Sequence, residues 1–466
     1  MQQCERFVDV AAGQVSRRIF VEQEIFDKEQ LEIFSKAWLF VGHESQIPNP
    51  NDFVQSKMGT DSVIVNRNSQ GEVQVLLNSC RHRGMKVCRY SEGNARSFTC
   101  PYHAWTYSTD GKLVSRPGEL VGVPGYEKFY HGKLDRKQWG LKAARVKTYK
   151  GTIWATWDHD APSLEEYLGS MLLWLDSALD HRNGESGGST LLVGVHKFRV
   201  RCNWKFPATN FVGDASHAVA HNSVNMVQLN PSGTEGRRDA RPEGHAAFGW
   251  PDLGHGGLGF LPRPEEDFPR PVVFQRYPPA SEYLKKSAEE HLKRRAGTFH
   301  YQGKGTIFPN MSFHEDQPRT LVVHHPISPT ETEMWRYYLV DADAPDEVKD
   351  IFRHYYMTYS GPAGMTEQDD IENWESATVE SLGGMSRTLP FNYEQGLGYS
   401  EPCELMPGTV WCGETCTEQN QLIWMKRWSE FMEGRNWNQL MRKEPIPNDQ
   451  LFPLKKTIAE TINGNA

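Results

Sequence analysis

Two short segments of this 466-residue chain each combine a cysteine with a histidine. The first contains Cys80 and His82, the second contains Cys100 and His103, and seventeen residues separate His82 from Cys100. Two thiolates on one iron and two imidazoles on the other form the ligand set of a Rieske [2Fe–2S] centre. A structural zinc site also accepts two Cys and two His. The alternating order Cys, His, Cys, His favours the iron–sulfur cluster over zinc.

A second pair of candidate metal ligands lies further along the chain. A metal ion held there could receive electrons from such a cluster. His217 and His221 are four residues apart, so on a helix they project from one face. Iron(II) that activates O₂ is commonly held by two His and one carboxylate. Acidic residues that follow a Gly/Pro turn offer that carboxylate, and spacing alone does not choose among Asp369, Asp370 and Glu372.

The predicted secondary structure that must position these residues differs from one region of the chain to the next. Residues 1 to about 40 are partly helical in pattern, and the following stretch to about 157 has short alternating apolar runs broken by Gly and Pro, which predicts β-structure. Both cysteine–histidine segments would then be loops between strands. Residues 158–181 have apolar residues at helical spacing.

The rest of the chain mixes both patterns. Strands are predicted at 322–326 and 335–340, and helices at 349–360 and 371–382. The Gly- and Pro-rich stretches 231–237 and 249–270 are predicted to be long loops.

Composition restricts the class of protein. The net charge of −8 is spread without long runs, which gives no support for binding to nucleic acid or to an anionic membrane surface. No run of eighteen apolar residues predicts a transmembrane helix, and no export signal is apparent at the N-terminus. Two of the eight cysteines are committed to metal. We therefore expect a cytoplasmic protein in a reducing compartment.

Taken together, these segments resemble the large (alpha) subunits of the Rieske non-haem iron aromatic-ring-hydroxylating dioxygenases, most closely the naphthalene and biphenyl dioxygenase branch. The resemblance covers nearly the whole chain. Besides the two cysteine–histidine segments, it rests on residues 39–48, 203–205, 214–221, 306–310 and 361–364.

The resemblance implies an α+β fold. Residues 37–157 would form a β-rich Rieske [2Fe–2S] domain, and residues 1–36 and 158–466 would form an α/β catalytic domain with a central antiparallel sheet. Each subunit would carry one [2Fe–2S] cluster and one mononuclear Fe²⁺. Both cysteines would bind one cluster iron and both histidines the other.

The resemblance also implies roles for residues of the second site. His217, His221 and Asp370 would bind the mononuclear iron, with Asp370 chosen by its distance from the Gly-Pro-Ala-Gly turn. Asp214 matches an aspartate that links the two metal sites across a subunit boundary, and Asn210 matches an asparagine near the iron.

The sequence departs from the naphthalene dioxygenase pattern at three points. Three residues separate the two histidines where that branch has four, Ser216 replaces a usual tyrosine, and Thr366 replaces an expected tryptophan. Together with the small residues Ala218 and Ala220, these changes affect the expected substrate more than the expected reaction.

The function implied is that of a terminal oxygenase. It would use O₂ and electrons from a ferredoxin and its NAD(P)H-dependent reductase to cis-dihydroxylate an aromatic hydrocarbon, polycyclic or biaryl. A small beta subunit would complete an α₃β₃ hexamer. The alternatives are a Rieske-type monooxygenase or demethylase with the same iron site, or, in a different class, a Rieske electron carrier without oxygenase activity.

Overall fold

The computed structural model describes residues 7–114, 122–179, 188–214, 216–229, 245–260, 263–264, 273–295, 299–300, 303–315, 317–413 and 417–441. The chain divides into two compact units. The cluster unit is Phe34–Leu164, and the large unit comprises Met1–Ile33 and Glu165–Ala466. Among the described residues, no helix has the length and apolar character needed to cross a membrane.

Over its described residues, the cluster unit consists mainly of short antiparallel strands in three small sheets. Aromatic and aliphatic side chains fill the space between them, and Phe53 meets Phe98 edge to face at 5.5 Å between ring centroids. In sheet order the strands are Val73–Leu77, Asp61–Arg67, Asp52–Met58 and Glu92–Asn94; then Arg145–Tyr149, Thr152–Thr156 and Leu39–His43; then Leu113–Val114, Thr106–Ser108 and Ser97–Thr99.

The large unit is built on a nine-stranded sheet, counted over the described residues, in which every pairing is antiparallel. Its order is Ser189–Val200, Glu331–Asp341, Thr320–Ser328, Met311–His314, Gly303–Ile307, His255–Phe260, His245–Trp250, Val410–Cys412 and Glu401–Pro402. Two smaller sheets contain Val8–Asp9, Gln14–Ser16 and Pro390–Asn392, and Arg263–Pro264 with Phe299–His300. The predicted α+β class with a central antiparallel sheet is confirmed.

The remaining elements of the described residues are helices. The α-helices are Gln23–Glu32, Tyr126–Phe129, Leu164–Leu168, Met171–Leu179, Lys205–Phe211, Asn222–Met226, Pro278–Arg295, Asp346–Tyr359, Met365–Ser381, Gln419–Met432 and Trp437–Leu440. The 3₁₀ helices are Arg17–Phe20, Glu44–Gln46, Ser216–His221, Val273–Arg276 and Ser386–Thr388. The predicted strands at 322–326 and 335–340 and the predicted helices at 349–360 and 371–382 are confirmed, although both helices begin earlier than expected.

The prediction of a long loop over 249–270 is wrong in part, because His255–Phe260 is a strand inside the large sheet. The glycines of this strand allow close packing and do not form turns. A Cβ atom on Gly257 would lie 2.5 Å from the Trp174 ring, and one on Gly256 would lie 2.4 Å from Val212. The other predicted loop, 231–237, lies outside the described residues.

A buried ion pair fixes the start of helix Lys205–Phe211. The Lys205 ammonium lies 2.5 Å from the Glu29 carboxylate, and both side chains are fully buried. The indole N–H groups of Trp204 and Trp428 each donate to the same carboxylate at 2.8 Å. Because these donors satisfy both oxygens, the charge is tolerated in the core, and the helix that leads to the second site has a fixed position.

Candidate metal centres

The two cysteine–histidine segments form turns of the same design. In the first, Cys80 N–H donates to Met85 O and Gly84 N–H donates to Cys80 O, both at 2.8 Å. In the second, Cys100 N–H donates to Trp105 O at 2.8 Å, and Ala104 N–H donates to Cys100 O at 3.0 Å. Gly84 and Ala104 both have positive φ, 72° and 58°. Each turn follows a strand and presents its cysteine and histidine together.

The two turns face each other. The rings of His82 and His103 lie 4.4 Å apart, and their Nδ1 atoms are buried without a hydrogen-bond partner. The thiols of Cys80 and Cys100 are buried and unoxidised, and burial raises the pKa of Cys100. The buried imidazole nitrogens that lack partners and the two buried thiols are the atoms that a metal cluster would use. Two thiols and two imidazole Nδ1 atoms fit a Rieske [2Fe–2S] cluster.

A neighbouring tyrosine supports the first turn. The Tyr107 hydroxyl lies 3.3 Å from the Cys80 sulfur and accepts from the N–H of Arg81 at 3.0 Å. The His82 ring stacks on Trp105 at 5.1 Å between centroids. These contacts orient both ligands of that turn before any cluster binds.

The second site is formed by two segments of the large unit. The 3₁₀ helix Ser216–His221 carries both histidines, and helix Met365–Ser381 carries the acids. Because Gly213 has a φ of 127° and a Cβ there would lie 2.9 Å from Gly257 O, only glycine fits and helix Lys205–Phe211 ends before the histidines. The histidines therefore do not lie on the α-helix that their spacing suggested.

Three ligand atoms converge. Asp370 Oδ1 lies 3.5 Å from His217 Nε2 and 3.4 Å from His221 Nε2, and the candidate ligand atoms of the three residues lie within 4.8 Å of one another. Asp370 Oδ1 is buried without a hydrogen-bond partner. Burial raises the pKa of Asp370 to about 7, and the charge of Glu367 adds to that rise. A divalent cation would compensate this carboxylate, so the residues fit a two-histidine, one-carboxylate iron site.

Asp214 orients His217 through its backbone. The Asp214 carbonyl lies 2.5 Å from His217 Nδ1 and can only accept, so Nδ1 carries the proton and Nε2 is free to bind metal. The carboxylate of Asp214 instead accepts from the backbone N–H of His217 at 3.2 Å and lies 3.7 Å from Nδ1. Burial raises the pKa of Asp214, but its hydrogen bonds with His217 outweigh burial and the pKa is lowered.

Asp369 has the matching role for His221. Its Oδ2 lies 3.4 Å from His221 Nδ1 and accepts from the Ser223 hydroxyl at 2.7 Å. Helix Met365–Ser381 begins before Asp369 and Asp370, so neither residue caps it. The two carboxylates lie near different ring nitrogens of His221. Ser223 was not predicted from the sequence, although a serine two residues after a candidate ligand histidine was a usable signal.

Two further residues predicted to belong to the site line a cavity next to this segment. Asn210 and Asp214 line a cavity of about 210 Å³ together with Glu418, Tyr393 and Gln421. Burial and the charge of Asp214 raise the pKa of Glu418 to about 7. The cavity thus concentrates carboxylates next to Asp214. Glu418 was missed because it lies about two hundred residues away in sequence.

His255 and Thr366 each have structural partners that account for their polar atoms. His255 is buried, with Nε2 donating to Tyr167 O at 2.8 Å and Nδ1 accepting from Phe308 N–H at 3.0 Å, so neither nitrogen is free for a metal. The Thr366 hydroxyl donates to the carbonyl of Tyr359, which ties it to the turn before its helix.

Comparison with known families covers both units. The Rieske [2Fe-2S] domain family matches residues 37–127, and the ring hydroxylating alpha subunit (catalytic domain) family matches residues 189–386.

Individual relatives match almost end to end. The chain is 36% identical to biphenyl 2,3-dioxygenase subunit alpha of Rhodococcus jostii (strain RHA1), over 95% of this chain and 94% of that protein. It is 35% identical to chlorobenzene dioxygenase subunit alpha of Cupriavidus sp. (strain PS12), over 94% and 95%. The structure of naphthalene 1,2-dioxygenase with indole bound in the active site superposes with a TM-score of 0.81 at 30% identity, covering 93% of this chain and 95% of that chain.

Proposed function

The chain belongs to the alpha subunits of the Rieske-type aromatic-ring-hydroxylating dioxygenases, and on that premise we propose that it cis-dihydroxylates an aromatic hydrocarbon of the polycyclic or biaryl kind. Relatives named for biphenyl and naphthalene support this substrate class. The enzyme is an oxidoreductase that takes electrons from a ferredoxin and its NAD(P)H-dependent reductase. We also propose that the chain assembles with a small beta subunit into an α₃β₃ hexamer.

Each of the two metal centres has its own proposed set of ligands. Cys80 and Cys100 hold one iron of the [2Fe–2S] cluster, and the Nδ1 atoms of His82 and His103 hold the other. His217, His221 and Asp370 hold the mononuclear Fe²⁺, through both Nε2 atoms and Oδ1. When bound, the cluster supplies single electrons and the mononuclear iron supplies O₂ activation beside the ring. We assign residues 37–157 to the Rieske domain and the remainder to the catalytic domain.

The protein residues orient and protect these ligands. The carbonyl of Asp214 and the carboxylate of Asp369 each hold an Nδ1–H, so that both Nε2 lone pairs point toward Asp370. The cavity beside Asp214 and Asn210 is the proposed contact for His82 or His103 of a neighbouring subunit, with Asp214 as the electron bridge. One observation carries the proposal: the buried, unpartnered Asp370 Oδ1 faces two imidazole nitrogens.

A monooxygenase or demethylase on the same iron would share this ligand geometry, and the relatives named as dioxygenases favour dioxygenation. An electron carrier would need the cluster unit alone, whereas the match to the catalytic domain family extends over residues 189–386.

The reaction is tested by isotopic product analysis. The purified, iron-loaded protein with ferredoxin and reductase is supplied with ¹⁸O₂ and a panel of one- to four-ring aromatics, and we expect a cis-dihydrodiol with both oxygens labelled. Mass spectrometry reads the label, and parallel incubation in H₂¹⁸O with unlabelled O₂ is the control. A phenol or aldehyde with a single labelled oxygen as the main product would assign monooxygenation instead.

The cluster assignment is tested by Cys100→Ser. A serine hydroxyl is a poor iron ligand at neutral pH, so we expect the variant to lose the visible absorption and the electron-spin signal of the reduced cluster. Cys88→Ser is the matched control, because Cys88 is also a buried free cysteine of the cluster unit but is outside the ligand set. An intact cluster signal in Cys100→Ser would contradict the assignment.

A further inference from the structure

A groove of about 350 Å³ opens on the cluster unit beside the second ligand turn. Its walls include Phe53, Arg89, Tyr90 and Phe98, and one end is formed by Pro101. Pro101 directly follows Cys100, so the groove reaches the backbone of a proposed cluster ligand on the cysteine side. The histidine rings, assigned above to contact with a neighbouring subunit, are not among its lining residues.

The groove presents an exposed aromatic side chain on an anchored backbone. Tyr90 is 73% exposed, yet its backbone is anchored. The Gln55 side-chain amide donates to Tyr90 O at 2.5 Å, the Gln55 backbone N–H donates to Ser91 O at 2.8 Å, and the Cys88 thiol lies 3.6 Å from Tyr90 O. An exposed aromatic on a held backbone loses little entropy when a partner covers it, which is typical of a contact residue at an interface.

The groove is also surrounded by positive charge. Arg89 lines it, Lys86 and Arg96 directly adjoin lining residues, and all three side chains are exposed. Within the described residues, none of the three has an ion-pair partner. Residues 80–103 contain five Lys or Arg and a single acid, Glu92, which also lines the groove.

This bias extends to the whole cluster unit. Residues 34–164 contain eighteen Lys or Arg against eleven Asp or Glu, a net charge of +7, although the chain as a whole has a net charge of −8. This excess of positive charge favours a partner that carries negative charge.

We propose that this groove is the docking site of an acidic electron-carrier protein with a [2Fe–2S] cluster. This docking site rests on the proposed function. It specifies where the carrier binds and from which side of the cluster the electron arrives. One electron leaves the reduced carrier, which is oxidised, and enters the Rieske centre from the side of Cys100, with no bond made or broken. The cations attract the carrier, and Tyr90 and the apolar walls of the groove fix its orientation.

The test uses the assembled protein and a purified acidic [2Fe–2S] ferredoxin as probe. The triple charge reversal Lys86→Glu, Arg89→Glu and Arg96→Glu is expected to weaken ferredoxin binding at low salt by about tenfold or more and to remove most of its salt dependence. A control variant with the same charge change elsewhere on the cluster unit, Lys128→Glu, Lys133→Glu and Lys137→Glu, is expected to bind within about threefold of wild type. Affinity is measured by calorimetry without substrate or turnover.

Two further readouts separate the possible explanations. Reduction of the cluster by dithionite, which needs no docking, is expected to be the same in all variants. Unchanged ferredoxin affinity after the triple reversal, or an equal loss in the control variant, would overturn the proposal. A change in assembly mass by light scattering would assign the groove to a contact between copies of this chain and overturn it as well.

The docking site and the proposed reaction can be contradicted independently of each other. A protein that binds ferredoxin through these cations but makes no diol would retain the docking site and contradict the reaction. Conversely, normal diol formation by the chemically reduced triple variant, together with weakened ferredoxin binding, supports both.

Discussion

His221→Ala is expected to keep the [2Fe–2S] cluster while losing the mononuclear iron and all oxygenation. The remaining ligands, His217 and Asp370, would bind Fe²⁺ too weakly to retain it through purification, because a stable site of this class needs three protein ligands. Metal and sulfide analysis should fall from about three irons per chain to about two, with acid-labile sulfide unchanged at about two.

Two aspartate variants refine this test. Asp370→Ala should behave like His221→Ala, because Oδ1 is the atom that both imidazoles face. Asp369→Ala should be milder, since it removes only the 3.4 Å contact to His221 Nδ1. The reverse order would transfer the third ligand to Asp369, and normal turnover by His221→Ala would mean that other residues hold the metal.

Asp214→Ala should retain the cluster and most of the iron yet pass electrons between them roughly 10- to 100-fold more slowly, the range typical of residues that support metal ligands. The backbone carbonyl that orients His217 survives the substitution, so the iron site should still assemble. What is lost is the carboxylate in the cavity next to Glu418, which is the proposed contact for the neighbouring cluster.

Single-turnover measurement on pre-reduced protein with substrate and O₂ reports this step directly. Asp214→Asn is the matched control, because an amide oxygen can still accept from the His217 N–H while the charge is removed. Cluster reoxidation near the wild-type rate in Asp214→Ala would show that Asp214 is not the bridge.

The proposed ligand residues could be predicted from the sequence to different degrees. The cysteine–histidine turns were identified by residue type and spacing, because each turn is local and its two ligands lie within three residues of each other. The third ligand was not, since Asp369, Asp370 and Glu372 share one helix and only its packing against the 3₁₀ helix determines which carboxylate meets both rings. The family resemblance, rather than spacing, indicated Asp370.

The same distinction applies to the fold. The strands at 322–326 and 335–340 were predicted because buried β-branched and aromatic residues follow one another in sequence. Strand His255–Phe260 was missed because its glycines resemble a loop, and their cause, the closeness of Trp174 and Val212, is a tertiary contact. The spacing of His217 and His221 suggested an α-helix, whereas helix Lys205–Phe211 ends before them, because the fit of Gly213 against Gly257 is not visible in sequence.

The 3₁₀ conformation of Ser216–His221 affects how this centre could change in evolution or be copied in design. On an α-helix, residues four apart differ by roughly 40° around the axis, whereas on a 3₁₀ helix they differ by roughly 120°. The rings of His217 and His221 meet at 80°, and their orientation depends on the Asp214 carbonyl and on Asp369. A change in the number of residues between the histidines would therefore have to preserve the contacts of both rings with these two residues. A designer who grafts the histidine spacing onto an ideal helix would transfer the ligands without the anchors that direct them.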